Sequence, residues 1–281
     1  MLSLYINSAR VGSSRLSYLF NQCGINSHNE PFNRANKEST VFSFAGDKDT
    51  ILKYTDIKLK GIKEAYKNYK GLNFYKKIFD AHARSPNFYF LGLQNYSFKR
   101  HLLGYFCGTY PCIFTQRKNI DQYISFKKAK FFKSFNRTDT TDFKPEANAE
   151  EFYKYAMNES YFYNTCYFSA MNTHKNVTII NYDDWSYISN DNQFSKVRNL
   201  LIKKQIKFAK LTSEKINNQN ENNLIKFPFK KNNNSKLEPD ILVRQDKSGS
   251  WKNKISNSSE FLNRCKELKI EKLITASPIN I

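Results

Sequence analysis

Apolar positions along this chain fall into two spacings, compact runs and helical repeats, and the two alternate. Residues 2–7, "LSLYIN", form a short apolar run that stops at a turn, as a buried strand does. Beyond the turn, Leu16, Leu19, Phe20 and Cys23 stand at i, i+3, i+4 and i+7, one apolar helical face. Gly24 follows where a helix C-terminus favours glycine. Residues 58–80 read as helix, "FYFLGL" (88–93) and "CIFT" (112–115) as buried strands, and 120–134 and 148–158 as helices. "VTIIN" (177–181) is a further strand, and Phe194, Val197 and Leu201 mark another helical face. Strands alternating with helices predict an α/β fold with a central, mostly parallel sheet. In "ISNSSEFLNRCKEL", Asn257 reads as an N-cap with Glu260 three residues on, and Phe261, Cys265 and Leu268 as the buried face. The polar stretch from Asn217 to Ser235, "NNQNENNLIKFPFKKNNNS", reads as a mobile loop or insertion within a single domain spanning 1–281.

Composition narrows the partners. The chain has 281 residues, 40% hydrophobic and 16% aromatic, and a formal charge of +20 at pH 7. Such a charge favours anionic partners: nucleic acid, a membrane surface, a sulfated or phosphorylated substrate, or a nucleotide. The basic residues run the whole length of the chain, so a solvated lysine-rich surface accounts for them equally well. Five cysteines, with no CxxC pair, give neither a zinc site nor a disulfide framework, and no metal-binding constellation stands out. No window is long and apolar enough to span a bilayer, and no signal segment is visible, so a soluble, reduced, cytoplasmic protein is expected.

Three stretches carry candidate chemistry. "SARVGSSR" (8–15) lies where strand passes into helix. A helix N-terminus at the carboxyl end of a parallel strand offers N–H groups and a favourable dipole to an anion. Gly12 allows close backbone approach, Ser13 and Ser14 add hydroxyls, and Arg10 adds charge. A GxxxxGK[ST] loop is absent, which disfavours ATP hydrolysis. The same turn could be a plain helix cap. In "TQRKNIDQYISFKKAK", Arg117 ends a strand and Ser125 lies eight residues on, a guanidinium fork and a hydroxyl suited to a phosphate. The alternative is a surface arginine and an exposed serine. In "VRQDKSGSWKNKIS" (243–256), Arg244, Gly249 and Trp251 form either a basic ligand loop or a loop closed on the core through the tryptophan.

Read together, these stretches resemble the sulfotransferase family that uses 3′-phosphoadenosine 5′-phosphosulfate (PAPS). "RVGSS" (10–14) is similar to its 5′-phosphosulfate loop, and Arg117 with Ser125 to its 3′-phosphate pair. "NYDDW", with Tyr182, is similar to a later strand-end motif, and "RQDKSGSWKNKIS" to its C-terminal loop. The order of all four agrees, from residue 1 to about residue 265. The resemblance implies a three-layer α/β/α, P-loop NTPase-like fold and PAPS as donor co-substrate, with no metal. It also implies a cradle from Val11, Gly12, Ser13 and Ser14. Arg10 would stabilise the leaving phosphate, Arg117, Ser125 and Arg244 would hold the 3′-phosphate, and Tyr182 would lie near the adenine. Arg15 stands where many members have a tryptophan, and Asp246 replaces a glycine.

Sulfuryl transfer needs a base for the acceptor hydroxyl. "GINSHNEPFN" supplies Glu30 as first choice and His28 as second, with His101 a distant third. The "EPF" stretch resembles carbohydrate-acting members, so a carbohydrate hydroxyl is the expected acceptor, an anionic glycan being one that the basic surface could hold. Two other readings stand beside this one: a nucleotide or nucleoside kinase-like P-loop enzyme, and a basic nucleic-acid-binding protein whose aromatics stack on bases. Oligomeric state has no signature in the sequence.

Overall fold

The computed structural model describes residues 1–29, 31–32, 47–58, 71–95, 100–133, 140–173, 177–186, 195–201 and 249–280. Strand β1 (Leu2–Asn7) leads through a turn into helix α1 (Ser13–Gln22), as the apolar pattern requires. Gly24 ends α1 at φ 77. Its N–H donates to Asn21 O at 3.0 Å, and Ile25 N–H to Phe20 O at 3.1 Å, the paired bonds of a Schellman cap. Then follow β2 (Asn26–His28), α2 (Lys48–Tyr54), α3 (Gly71–Arg84), β3 (Tyr89–Gln94), α4 (Arg100–Thr109) and β4 (Cys112–Gln116). α5 (Asn119–Phe131), α6 (Ala149–Met171), β5 (Thr178–Asn181) and α7 (Ser258–Glu267) complete the larger elements. Residues 195–201 are also helical.

The five strands lie in the order β2-β3-β1-β4-β5. β1 pairs in parallel with β3 (Leu2↔Tyr89 to Asn7↔Gln94) and with β4 (Leu4↔Cys112 to Ile6↔Phe114), and β2 pairs in parallel with β3. β1, β3 and β4 are buried along their whole length, as strands covered on both faces are. Alternate residues show the covers. Phe90 meets Phe20 of α1 edge-on at 4.9 Å, and Tyr89 meets His82 of α3 at 4.8 Å. Because the chain leaves β1 toward β2 and later crosses to β4 on the other side, the carboxyl ends of β1 and β4 form a topological switch point. Open parallel sheets bind ligands there.

Two compact units divide the chain. One takes residues 1–8, 12–115 and 165–230, the other 9–11, 116–164 and 231–281. The first has its core around Tyr5, Phe20, Phe90 and Trp185; the second around Tyr123, Phe152, Phe261 and Ile274.

Several elements depart from the sequence reading. α6 runs thirteen residues past the expected end at 158, because Phe162, Tyr163, Cys166 and Ala170 continue its buried face. α3 reaches Arg84 rather than residue 80, with Ala81 and His82 buried. β2, α2 and α4 were not expected; β2 and α2 carry no strong apolar signal, whereas Leu103, Phe106 and Cys107 of α4 stand at helical spacing and are buried. Asn257 occupies the N-cap position of α7, but its side chain does not cap the helix. Instead its amide pairs with the backbone of Ala147, Nδ2 to O and N–H to Oδ1, each at 2.9 Å. The stretch 217–235 lies outside the described residues.

Candidate functional site

In the first unit, the turn after β1 delivers Gly12 at the N-terminus of α1 with φ 75. Among the described residues no side chain caps this first turn, and no acidic residue occupies it; a helix start of this kind favours an anion. Space as well as φ demands glycine here. A Cβ on Gly12 would lie 2.6 Å from Tyr182 Cε2 and 3.1 Å from Trp185 Cη2. Tyr182 and Trp185 meet edge-on at 5.4 Å, in the short helical turn that follows β5. Tyr182 therefore does stand over the loop. Ser13 is buried, and Ser14 Oγ accepts from Asn29 Nδ2 at 3.3 Å. Arg15, where an adenine-stacking tryptophan would be expected, lies over the ring of Tyr18 at 5.3 Å.

The alternation of β2 separates Ser27 from His28. Ser27 faces α1, its Oγ accepting from Ser17 at 2.7 Å, whereas His28 turns to the opposite face and stacks on Tyr89. Next in the chain, Asn29 passes over β3. Its carbonyl occupies the space that a Cβ on Gly92 would need. Asn29, rather than His28, thus reaches the α1 side.

His28 belongs to a closed polar network. Asp47 caps α2 through Asp49 and Thr50 N–H, and its Oδ2 accepts from Tyr89 Oη at 2.7 Å. His82 donates from Nδ1 to Ile78 O at 2.7 Å and accepts the Asp47 N–H at Nε2, 2.9 Å away, which fixes a neutral tautomer. Burial, then the neighbouring His82, pushes His28 down to about 4. Burial likewise pushes His82 to about 4. Burial acts upward on Asp47, but hydrogen bonds from Tyr89 and Thr50 hold it below its usual value.

In the second unit, Ala9 and Arg10 are gripped by three side chains from the segment after β4. Arg10 is left-handed at φ 72, a conformation that costs an L-residue about 1–2 kcal/mol. Such strain persists only where the surroundings over-determine it. Arg117 Nη1 donates to Arg10 O at 3.2 Å, and Arg10 Nε donates to Ser125 Oγ at 3.0 Å. Gln122 Nε2 donates both to Ala9 O at 2.9 Å and to the buried Glu159 Oε2 at 3.2 Å. Beside them, burial and then the Glu159 carboxylate hold the Tyr155 phenol well above its usual value. The C-terminal motif is anchored in this unit too. Lys254 Nζ meets Asp121 Oδ1 of α5 at 2.7 Å, a buried ion pair.

The structure thus brings Arg10, Arg117 and Ser125 together in one unit, and Gly12 and Tyr182 together in the other. Val11, between them in sequence, is buried. Arg117 and Ser125 each have a partner in residue 10, where the resemblance implied contact with a phosphate. Glu30, Arg244 and Asp246 lie outside the described residues. His101 falls in the first turn of α4, and its side chain is outside them as well. Gln122, Glu159, Asp121 and Lys254 were not expected. Glu159 escaped because the helix that carries it was read as ending one residue earlier. Among the described residues no group of three or more His, Cys, Asp or Glu is arranged to hold a metal ion, and no helix is long and apolar enough to cross a membrane.

The class defined by these features is an α/β protein with a five-stranded parallel sheet. Beyond that class, no protein-family model, no curated protein and no solved structure matches the chain.

Proposed function

We propose that this protein is a P-loop-like sulfotransferase that moves a sulfuryl group from PAPS to an acceptor hydroxyl, with a carbohydrate as the acceptor class. The observation that carries the reading is the gripped Ala9–Arg10 turn. A strained cation, three residues after β1 in the chain, is held by the arginine, glutamine and serine that follow β4. The first turn of α1, which no side chain caps among the described residues, supports anion binding with Gly12 and the serine hydroxyls.

In the reaction, the acceptor oxygen bonds to sulfur as the bond from sulfur to the bridging phosphate oxygen breaks. The electron pair stays on that phosphate, which leaves as the 3′,5′-bisphosphate. Charge grows on the bridging oxygen, so a positioned cation lowers the barrier. Arg10 takes that role, its guanidinium oriented by Ser125. Arg117 and Ser125 hold the 3′-phosphate, joined by Arg244. The acceptor proton goes to Glu30. His28 is the poorer base, since a conjugate acid near 4 gives little driving force at neutral pH.

An acceptor screen with sulfur-labelled PAPS, run over carbohydrate, phenol, peptide and lipid panels, tests the proposal. Label should appear in the carbohydrate panel and vanish in Arg10→Gly. Transfer of the γ-phosphate of ATP, with no sulfuryl transfer to any panel, would overturn it in favour of a kinase.

A further inference from the structure

Helix α5 is buried along Ile120–Ile124, but its far end is not. Phe131 is 64% exposed and Phe132 38% exposed. The two rings are nevertheless fixed. Phe131 stacks on Phe143 at 4.2 Å and meets Phe132 edge-on at 5.1 Å, while Phe132 meets Phe143 at 5.2 Å. Buried Lys128 ties the helix end to the segment that brings Phe143, donating to Thr140 O at 2.8 Å. A preformed trio of phenylalanines therefore stands at the surface.

Its surroundings are basic. Lys130, Lys133 and Lys144 are exposed on the same two segments, against two exposed carboxylates, Asp142 and Glu146. Lys127, further back, is paired with Glu151 at 2.9 Å. Rings without a polar tip, flanked by long cationic side chains, match the boundary of an anionic bilayer. There the rings enter the acyl edge and the ammonium groups stay at the phosphates. Stacking on nucleobases fits less well, because Phe131 already has one ring face against Phe143.

We propose that this tip docks on membrane surfaces containing anionic lipid. The charge of the whole chain, +20, adds to the attraction but does not require the rings, so the experiment must separate the two. Flotation with vesicles of phosphatidylcholine alone and of phosphatidylcholine with phosphatidylserine is the first arm. Binding should require the anionic lipid and should weaken about tenfold or more in Phe131→Ala/Phe132→Ala, a variant that keeps every charge. The second arm places an indole at the tip, Phe131→Trp, with brominated lipid as quencher. Its emission should shift to the blue and be quenched, whereas Tyr161→Trp, at a 66%-exposed position on α6, should do neither. Far-UV circular dichroism checks that each variant is folded. Equal binding by the alanine variant, absence of quenching at 131, or ring-dependent self-association without vesicle binding would each overturn the proposal. None of these outcomes bears on sulfuryl transfer.

Discussion

Two polar networks in this protein are built to opposite ends. Around Tyr89, an aspartate caps a helix, a phenol and a hydroxyl bond to it, and His82 has an acceptor on one nitrogen and a donor on the other. Every group there has a neutral or capped role. Around Arg10, a cation stands in a left-handed conformation that its neighbours must enforce. Density of polar residues does not distinguish the two. What separates them is backbone strain stored at a charged residue, and such strain clusters at functional sites.

The sharpest way to break this contrast is Arg10→Gly. Glycine accepts φ 72 without penalty, so the variant should fold at least as stably as the parent. Sulfuryl transfer should nevertheless fall by about 10²–10³ with the loss of the charged donor. Unchanged turnover would make Arg10 a structural residue. Next comes Gly12→Ala, which forces a Cβ toward Tyr182 and strains the left-handed position. It should cost about 3 kcal/mol in a urea titration. Adding Tyr182→Ala should return the steric share but not the backbone share, and no recovery would deny the contact.

The histidine network should announce itself through pH. Both histidines titrate near 4 when folded, below their ordinary 6.5, so the unfolded chain binds more protons between those values. Their contribution is complete above about pH 6.5 and is lost as pH falls toward 4. It amounts to about 3 kcal/mol for each histidine by the size of the shift. Asp47, depressed below its ordinary 3.8, adds its loss only under that value. Urea midpoints measured from pH 7 to 4 should fall, and should flatten in His28→Gln/His82→Gln. An unchanged slope would place the acid-sensitive groups elsewhere. The smallest effect is expected at the grip itself. Gln122→Ala leaves Ala9 O and Glu159 without their shared donor and should cost about 1–3 kcal/mol, while Glu159→Gln should cost less. Equal costs would mean that the carboxylate charge, not the bridge, is what matters.

Much of the site could be read from the sequence because it rests on local patterns. The apolar spacing of Leu16, Leu19, Phe20 and Cys23 before Gly24 fixes where the turn must be, and Arg117 and Ser125 follow a strand whose apolar run is plain. Other parts rest on tertiary contacts that leave no local trace. β2 is three polar residues made a strand by pairing with β3. Glu159 became legible only once α6 was seen to continue through Asn158, since its buried face resumes at Phe162. Asn257 has the sequence of a cap, yet a backbone 110 residues away competes better for its amide.

Titration calorimetry with 3′-phosphoadenosine 5′-phosphate, the donor product, tests the central claim without knowledge of the acceptor. The account predicts saturable binding by the parent chain that Arg117→Ala weakens by about tenfold or more, the loss of a charge-assisted contact. ATP with magnesium should bind far less well. Binding of ATP–magnesium but not of the bisphosphate, or bisphosphate binding indifferent to Arg117, would contradict it.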